Sequence, residues 1–203
     1  MSKSGNIFLI RHGLTNENTK GIILGESPFE LNSIGATQAL NCAKEFGSIP
    51  IRTIFSSPIV RADQTAKIFS KELGVPVEIS EELTEVGCGD WVGKPFEAMH
   101  HTSIWPKHVE NPFESHLPGW EKLTDCYRRS TSFLQKILEN CEQDHIIVVS
   151  HGDIIRLMIA WALQIERRYY RRLYIDHCKV IQIKNSIFGP QVLGINCEKP
   201  ILG

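Results

Sequence analysis

Short apolar runs recur along this chain, and segments with a helical pattern lie between them. The runs at residues 7–10, 53–56 and 146–149 have the composition of strands buried on both faces of a parallel sheet. The remaining pattern predicts helices at residues 32–46, 58–73, 120–141 and 154–163. This alternation of strands and helices predicts an α/β fold, a three-layer α/β/α sandwich around a mainly parallel central sheet.

Local signals mark several of the predicted helix ends. Asn32 or Ser33 can cap the first long helix, because a side-chain oxygen at that position accepts a free backbone N–H. Ser57 followed by Pro58 predicts that the second helix has Ser57 as its N-cap and Pro58 as its first residue. Gly74 is expected to end that helix.

The last part of the chain predicts an antiparallel edge on the sheet. Late strands are expected at residues 174–176, 180–183 and 191–194. The last two of these would form a hairpin around Gly189 and Pro190, because both residues favour turns.

Two stretches do not fit regular structure. Residues 83–93 contain three glycines, and residues 95–119 combine several prolines with Trp105 and Phe113. The second stretch predicts short helices and loops that cover a site. The length of 203 residues suits one core. We therefore expect a single domain over residues 1–203, with residues 95–119 as a covering insertion.

Composition narrows the class of protein and its partners. The chain is 42% hydrophobic and 22% charged, and its net charge of −1 predicts neither nucleic-acid nor membrane binding. The six cysteines are scattered without a Cys-x-x-Cys pair, which indicates free thiols in a reducing compartment. No apolar leader precedes the first strand, and no apolar run has the length of a membrane span. A cytoplasmic protein is the expectation.

Basic side chains follow several of the predicted strands. Arg11 and His12 come directly after the first apolar run, and His151 follows the third. Arg61 lies in the first turn of the helix after the second run. Because ligands of open α/β sheets bind beyond the carboxyl ends of the strands, we expect these four side chains to meet in one pocket. Their charge and geometry match a phosphate dianion.

Five ordered motifs then connect these residues with a known family. They are Arg11-His12-Gly13 with Thr15 and Asn18, Leu31 with Gly35 and Gln38-Ala39, Ser56-Ser57-Pro58 with Arg61, Leu83-x-Glu85 with Gly89-x-Trp91, and Ser150-His151-Gly152. On these motifs nearly the whole chain resembles the histidine phosphatase superfamily. This group includes cofactor-dependent phosphoglycerate mutases and α-ribazole phosphatases.

The resemblance implies a role for each motif residue. His12 would attack phosphorus and carry the phosphoryl group as a phosphohistidine, and Glu85 would protonate the leaving alcohol and then activate water. His151 would join His12 and Glu85 in catalysis. The residues expected to bind phosphate or substrate are Arg11, Asn18, Gly25, Arg61 and Gly152. The resemblance implies no metal and no cofactor.

Other chemistries fit the sequence less well. The chain has no cysteine phosphatase loop and no Asp-x-Asp nucleophile pair, and residues 88–95 depart from a P-loop at both ends. A metal site at His100, His101, His108 and His116 is disfavoured, because these residues form no helical His-x-x-x-His pair; a surface or covering-loop role is favoured. A solvated helix end is favoured for the basic run 167–172, with an anion or partner patch as the alternative.

The sequence favours a metal-independent phosphomonoester hydrolase acting on a small metabolite, of the sugar phosphate or α-ribazole phosphate type. A cofactor-dependent phosphoglycerate mutase and a catalytically weak phospho-ligand-binding domain are the alternatives. The chain departs from the family pattern at Leu14, Val92, Trp120 and Lys122, which leaves substrate choice open. The expected partner is the phosphorylated substrate alone, with the chain as a monomer or homodimer.

Overall fold

The structure is a computed structural model that describes residues 5–47, 49–141 and 144–201. Residues 1–4, where the sequence predicts no leader, lie outside the described residues. The strands are β1 (Asn6–Arg11), β2 (Ile51–Ser56), β3 (Val77–Ile79), β4 (His145–Ser150), β5 (Val180–Ser186) and β6 (Gly189–Cys197). The α-helices are α1 (Asn16–Thr19), α2 (Ser33–Lys44), α3 (Val60–Leu73), α4 (Trp105–Glu110), α5 (Leu123–Asn140) and α6 (Gly152–Ala162).

The six strands form one sheet in the order β3-β2-β4-β1-β5-β6. The first four are parallel to one another, whereas β5 pairs antiparallel with β1 and β6 antiparallel with β5. A mainly parallel sheet with an antiparallel edge is therefore confirmed. Because β1 and β4 are central and parallel, their carboxyl ends open side by side at one edge of the sheet.

Alternate residues of the central strands enter two separate cores. Ile7 and Leu9 of β1 pack into the core that contains α5 and α6. Phe8 and Ile10 pack into the core that contains α2 and α3. All four side chains are fully buried. This double burial explains why β1 is a continuous apolar run rather than an alternating one, and it confirms the three-layer sandwich.

The start of α3 differs from its prediction. The helix begins at Val60, with Ile59 rather than Ser57 at the N-cap position. Ser57 instead lies in the turn after β2, where its backbone N–H donates to Val149 O and continues the sheet pairing. Its hydroxyl oxygen accepts from the Ile59 N–H at 3.2 Å. At the other end, Gly74 adopts a left-handed conformation and ends α3 as expected.

Three further predictions were wrong or imprecise. Residues 174–176 form no strand and pass the end of β1 as irregular chain. The turn between β5 and β6 lies at residues 187–188, so Gly189 already belongs to β6. The basic run is not the end of a longer helix but a separate 3-10 helix, Arg167–Arg172, whose Tyr170 is fully buried.

Residues 95–119 contain a 3-10 helix, Phe96–His101, and the short helix α4. In the preceding glycine-rich stretch, residues 83–93, one 3-10 turn, Glu81–Leu83, ends at its first residue and another, Gly89–Trp91, lies within it. None of the helices in the described ranges combines the length and the apolar character that a membrane crossing needs.

Candidate functional site

The pairing of β1 with β4 brings two histidines together. Arg11 lies opposite Ser150 in the sheet, and the backbone N–H of His12 donates to Ser150 O at 3.0 Å. His12 and His151 therefore leave the two strands next to each other, with ring centroids 5.2 Å apart. Each of the two strands passes directly into a His-Gly pair, and this repeated junction places both rings at the same edge of the sheet.

A cavity of about 210 Å³ opens beyond these strand ends. The expected site residues that line it are Arg11, His12, Asn18, Gly25, Arg61, Glu85 and Gly152. His151, the remaining one, is completely buried beside His12 and is not among the lining residues. Chain segments far apart in sequence thus meet at one edge of the sheet.

The hydrogen bonds of His12 indicate which ring nitrogen carries its proton. Its Nδ1 lies 2.8 Å from the carbonyl oxygen of Gly13, which can only accept, so the proton is on Nδ1. Its Nε2 then has a free lone pair, and this nitrogen accepts from Arg61 Nε at 3.1 Å. Burial, followed by the charge of Arg61, lowers the pKa of His12 well below its ordinary value. The ring is therefore neutral.

Two glycines hold the backbone around His12 in place. A side chain on Gly13 would collide with the carbonyl of Gly35, and a side chain on Gly35 would collide with the backbone of Leu14. The loop after β1 can therefore lie directly on the start of α2. Behind His12, the ring of His177 approaches its carbonyl oxygen, with Nδ1 at 2.7 Å. Sequence reasoning missed His177, although it directly follows the strand expected at residues 174–176, which the structure does not contain, because it belongs to no motif.

Arg11 and Arg61 are anchored by carbonyl oxygens rather than by carboxylates. Arg61 donates from Nη2 to Gly25 O at 2.7 Å and from Nη1 to Ser27 O at 3.0 Å. Arg11 donates from Nη1 to Ile175 O at 2.8 Å, and its buried Nε has no partner within the described residues. Because the anchoring groups are neutral, both guanidiniums keep their full charge for an anion in the cavity.

Asn18 is oriented by the short helix α1. Its side-chain oxygen accepts from Thr15 N at 3.1 Å, and its backbone N–H donates to Thr15 Oγ1 at 3.1 Å. This reciprocal capping box satisfies the amide oxygen. The NH₂ group is consequently the part of the side chain that is available to an acceptor in the cavity.

His151 is oriented by Ser57. The Ser57 hydroxyl accepts from Ile59 N–H and can donate its own proton to His151 Nε2, which lies 2.8 Å away. This arrangement favours a proton on Nδ1, which is buried and has no partner among the residues that the structure describes. Burial, with Arg61 and Arg11 nearby, lowers the pKa of His151 well below its ordinary value. Ser57, which the sequence predicts as a helix N-cap, thus orients the ring of His151 instead.

Glu85 is a half-buried carboxyl group at the side of the cavity. Its Oε1 accepts from the backbone N–H of Val86 at 3.0 Å. Burial, reinforced by the charge of Asp153, raises the pKa of Glu85 to about 7. A carboxyl group with this pKa exchanges its proton near neutral pH, as a general acid and base must.

The loop that carries Glu85 is fastened from outside the cavity by an ion pair. Arg129 of α5 donates from Nε and Nη2 to the two carboxylate oxygens of Glu121, each at 3.0 Å. Arg129 Nη1 also donates to Glu82 O at 2.8 Å. The backbone of Glu121 donates to Gly87 O at 2.7 Å. This clamp, Glu121 with Arg129, joins both sides of the glycine-rich loop to α5.

Several lining residues were not singled out from the sequence. Asp153 and Arg156 belong to the first turns of α6, directly after the His151-Gly152 pair. The reasoning that placed Arg61, a helix start beyond a strand end, applies equally to them. Arg171 belongs to the basic run, for which a solvated helix end was expected. It lines the cavity instead, so this expectation is wrong for Arg171. Trp120 lines it as well, at a position where the chain departs from the family motif.

The four histidines of the covering stretch do not share one environment. His100, His101 and His116 are exposed, whereas His108 is buried between Trp105 and Trp120 and contacts Ser115 Oγ through Nδ1 at 3.0 Å. Within residues 5–47, 49–141 and 144–201, no cluster of three or more His, Cys, Asp or Glu side chains has the arrangement of a metal site.

Known proteins resemble this chain over most of its length. A Hydrogenobacter thermophilus protein named as a phosphoserine phosphatase is 28% identical over 179 residues, covering 87% of this chain and 88% of that protein. A Yersinia enterocolitica protein named as a phosphoglycerate mutase is 29% identical over 179 residues, covering 87% and 83%. An Escherichia coli structure described as an α-ribazole-5′-phosphate phosphatase has a TM-score of 0.88 at 22% identity, covering 98% of this chain and 100% of that one.

The family itself is established by a match along almost the whole chain. The model of the histidine phosphatase superfamily, branch 1, matches residues 7–198. That range contains every cavity-lining residue described above, both His-Gly pairs and, except for Asn6, the strands that lead into them. This chain belongs to the histidine phosphatase superfamily.

Proposed function

We propose that this phosphatase hydrolyses the phosphomonoester of a small metabolite through a phosphohistidine on His12, without a metal ion. The single observation that carries the proposal is the state of the His12 ring. It is neutral, its Nδ1 proton is bound to Gly13 O, and its Nε2 lone pair accepts from the Arg61 guanidinium at the cavity. A nucleophilic imidazole needs this combination.

The first proposed step transfers the phosphoryl group to the protein. His12 Nε2 forms a bond to phosphorus while the bond from phosphorus to the ester oxygen breaks, and Glu85 donates its proton to the leaving oxygen. Arg61 exchanges its hydrogen bond to Nε2 for one to a phosphoryl oxygen. Arg11 Nε and His151 Nδ1, both buried without hydrogen-bond partners among the described residues, supply further donors. The guanidiniums thereby provide the positive charge that phosphoryl transfer requires.

The second proposed step regenerates the protein. The Glu85 carboxylate accepts a proton from water as the water oxygen attacks phosphorus, and the bond from Nε2 to phosphorus breaks. Inorganic phosphate leaves, and Glu85 is again protonated. We further propose that residues 95–119 cover this chemistry as an insertion in a single domain, since Phe96 lines the cavity.

A phosphoenzyme trapping experiment tests this proposal. The protein is mixed with a phosphomonoester in the presence of a chelator, quenched at alkaline pH where phosphohistidine survives, and analysed by peptide mass spectrometry. We expect phosphate on His12, and turnover in the presence of chelator. His12→Ala should abolish both, whereas His101→Ala, a change at an exposed histidine, should alter neither. Turnover that needs an added metal, or that survives in His12→Ala, would contradict the mechanism.

A mutase is the second candidate, because a relative named as a phosphoglycerate mutase matches most of the chain. The same phosphohistidine would then return its phosphoryl group to a second phosphoglycerate oxygen instead of to water. Product analysis separates the two: we expect one inorganic phosphate per substrate consumed. Isomerised phosphoglycerate with little free phosphate would favour the mutase.

A further inference from the structure

A second group of charged side chains lines the cavity away from His12. Arg156 donates from Nη1 to Asp153 Oδ1 at 2.8 Å and from Nε to Leu173 O at 2.8 Å, so its guanidinium is held in place. Arg171 approaches the same carboxylate, with Nη2 at 3.8 Å from Asp153 Oδ2. We call this set, Asp153 with Arg156 and Arg171, the outer cluster.

Arg171 is the member of the outer cluster with the most unused donors. Its contact with Asp153 is longer than a hydrogen bond, and the Tyr170 hydroxyl is a further polar group that its N–H groups approach. Most of its five N–H donors are therefore left for a ligand. Its guanidinium carbon lies 5.4 Å from the centroid of the Tyr170 ring, an arrangement that supports the cation. A guanidinium with free donors at the wall of a cavity is suited to an anionic ligand.

The outer cluster lies directly beside the phosphate end of the cavity. A Cβ atom on Gly152 would be 3.2 Å from Arg156 Nη1 and 3.4 Å from Arg11 Nε. The absence of a side chain at Gly152 is therefore what allows these two guanidiniums to approach each other. An anion held by the outer cluster would be only a short distance from a phosphoryl group held by Arg11.

The charge of the outer cluster selects the kind of anion. Two guanidiniums and one carboxylate leave a formal charge of +1, which matches a carboxylate better than a second phosphate dianion, because the dianion would face Asp153. Trp120 also lines the cavity, and its buried indole N–H has no partner among the described residues. One more donor is thus available at this wall.

We propose that the outer cluster binds a carboxylate on the leaving group, so that the substrate is the phosphomonoester of a small hydroxy acid or hydroxyl-bearing amino acid. This inference rests on the proposed function, since it assigns the leaving-group half of the same cavity. It excludes sugar phosphates and α-ribazole phosphate as preferred substrates, because neither carries a carboxylate near the ester oxygen.

Two matched substrate pairs test the assignment. 3-Phosphoglycerate is compared with glycerol 3-phosphate, and O-phosphoserine with O-phosphoethanolamine; within each pair the members differ at the carboxylate. We expect kcat/KM to be about 10- to 100-fold higher for the carboxylate in at least one pair, the range of a hydrogen-bonded charge. Equal values within both pairs would overturn the assignment, as would a higher kcat/KM for fructose 1,6-bisphosphate than for any carboxylate tested.

Arg171→Gln tests whether the preference for a carboxylate depends on the outer cluster. It should reduce the ratio of kcat/KM between the carboxylate and its matched partner by about 10-fold or more, because the lost donors act only on the carboxylate. Arg172→Gln is the matched control, since Arg172 is exposed on the same 3-10 helix and stacks on Tyr169 instead. An unchanged ratio in Arg171→Gln would place the carboxylate site elsewhere and contradict the proposal.

Binding to the His12→Ala variant separates this inference from the proposed function. Calorimetry with 3-phosphoglycerate and with glycerol 3-phosphate measures the preference without any turnover. Tighter binding of the carboxylate by about 10-fold or more, together with an inactive wild type, would support the subsite and overturn the hydrolase. Equal binding together with an active wild type would overturn the subsite and leave the hydrolase standing.

Discussion

Individual residues at this site owe their chemistry to their neighbours. His12 and His151 are ordinary histidines by sequence, yet a carbonyl oxygen and a hydroxyl group give each ring a defined tautomer. Burial lowers both pKa values and raises that of Glu85. The site thus combines a neutral imidazole in the cavity, a second one buried beside it, and a carboxyl group that can hold a proton at neutral pH. The same low-dielectric setting produces all three shifts.

The pKa of Glu85 predicts how the rate depends on pH. Its acid form, the proposed proton donor to the leaving oxygen, is present below pH 7 and is lost as the pH rises through about 7. We therefore expect kcat/KM for an alkyl phosphate to fall above that value. With a nitrophenyl phosphate the fall should be shallower, because that leaving group needs little protonation.

Glu85→Gln is the control for this pH dependence. In the variant, kcat/KM for the alkyl phosphate should fall by roughly 10²- to 10⁴-fold, the usual range for general acid catalysis. The fall for the nitrophenyl phosphate should be smaller. Steady-state rates on both substrates across pH 5–9 provide the comparison. Equal losses on both substrates, or a profile that keeps its fall above pH 7 in the variant, would assign the proton donor to another group.

At the scale of elements, the site depends on junctions rather than on the interiors of strands and helices. Arg11 is the last residue of β1, and His12 and His151 directly follow the ends of β1 and β4. Arg61 and Asp153 lie in the first turns of the helices that come next. Glu85 differs, because it lies on an irregular loop between two 3-10 turns. Such a loop requires support from another element, and α5 provides it through the clamp formed by Glu121 and Arg129.

Removal of the clamp should affect catalysis through Glu85. Arg129→Met deletes both hydrogen bonds to Glu121 and the bond to Glu82 O, and its partner carboxylate would remain partly buried. We expect a loss of about 1–3 kcal/mol in unfolding free energy and on the order of 10-fold in kcat on an alkyl phosphate. The loss on a nitrophenyl phosphate should be smaller, because a displaced acid matters less there.

Arg128→Met provides the matched control. Arg128 is the neighbouring residue on α5, and its ion pair with Asp125 is largely exposed, so little change is expected in either stability or rate. Equal rate losses on the two substrates in Arg129→Met would indicate general damage to the fold rather than displacement of Glu85. Denaturant titration and leaving-group comparison measure the two effects separately.

At the scale of the whole molecule, a nearly neutral chain concentrates positive charge at one edge of its sheet. The net charge is −1, yet four arginines line a single cavity of about 210 Å³ with two carboxyl groups. Burial lowers the pKa of Arg61 to about 10, which shows the cost of keeping this charge out of water. The fold should therefore gain stability when an anion occupies the cavity.

Inorganic phosphate should raise the melting temperature for this reason. At a concentration 100-fold above its Kd, a ligand that binds only the folded state adds about 2.7 kcal/mol, which corresponds to roughly 5–10 °C for a chain of this size. Differential scanning calorimetry with phosphate, and with chloride at equal ionic strength, measures the shift. The same shift in chloride would show that screening, not occupation of the cavity, stabilises the protein.

The sequence by itself determined the three-layer architecture, the order of its main helices and strands, and the motifs that identify the family. These features follow from local periodicity and from the rule that parallel strands open at one edge, so short segments contain the information. It also located seven of the residues that line the cavity, for which the catalytic and binding roles remain predictions.

Only the tertiary structure decided how these residues act on one another. The hydrogen bond from Arg61 to His12, the raised pKa of Glu85 and the approach of Arg171 to Asp153 depend on contacts between separate segments of the chain. Ser57 illustrates the difference. The local sequence predicts that it caps a helix, whereas in the structure its hydroxyl orients the ring of His151, 94 residues away in the chain. Burial and long-range proximity set hydrogen-bond partners and proton affinities, and neither is encoded in a local pattern.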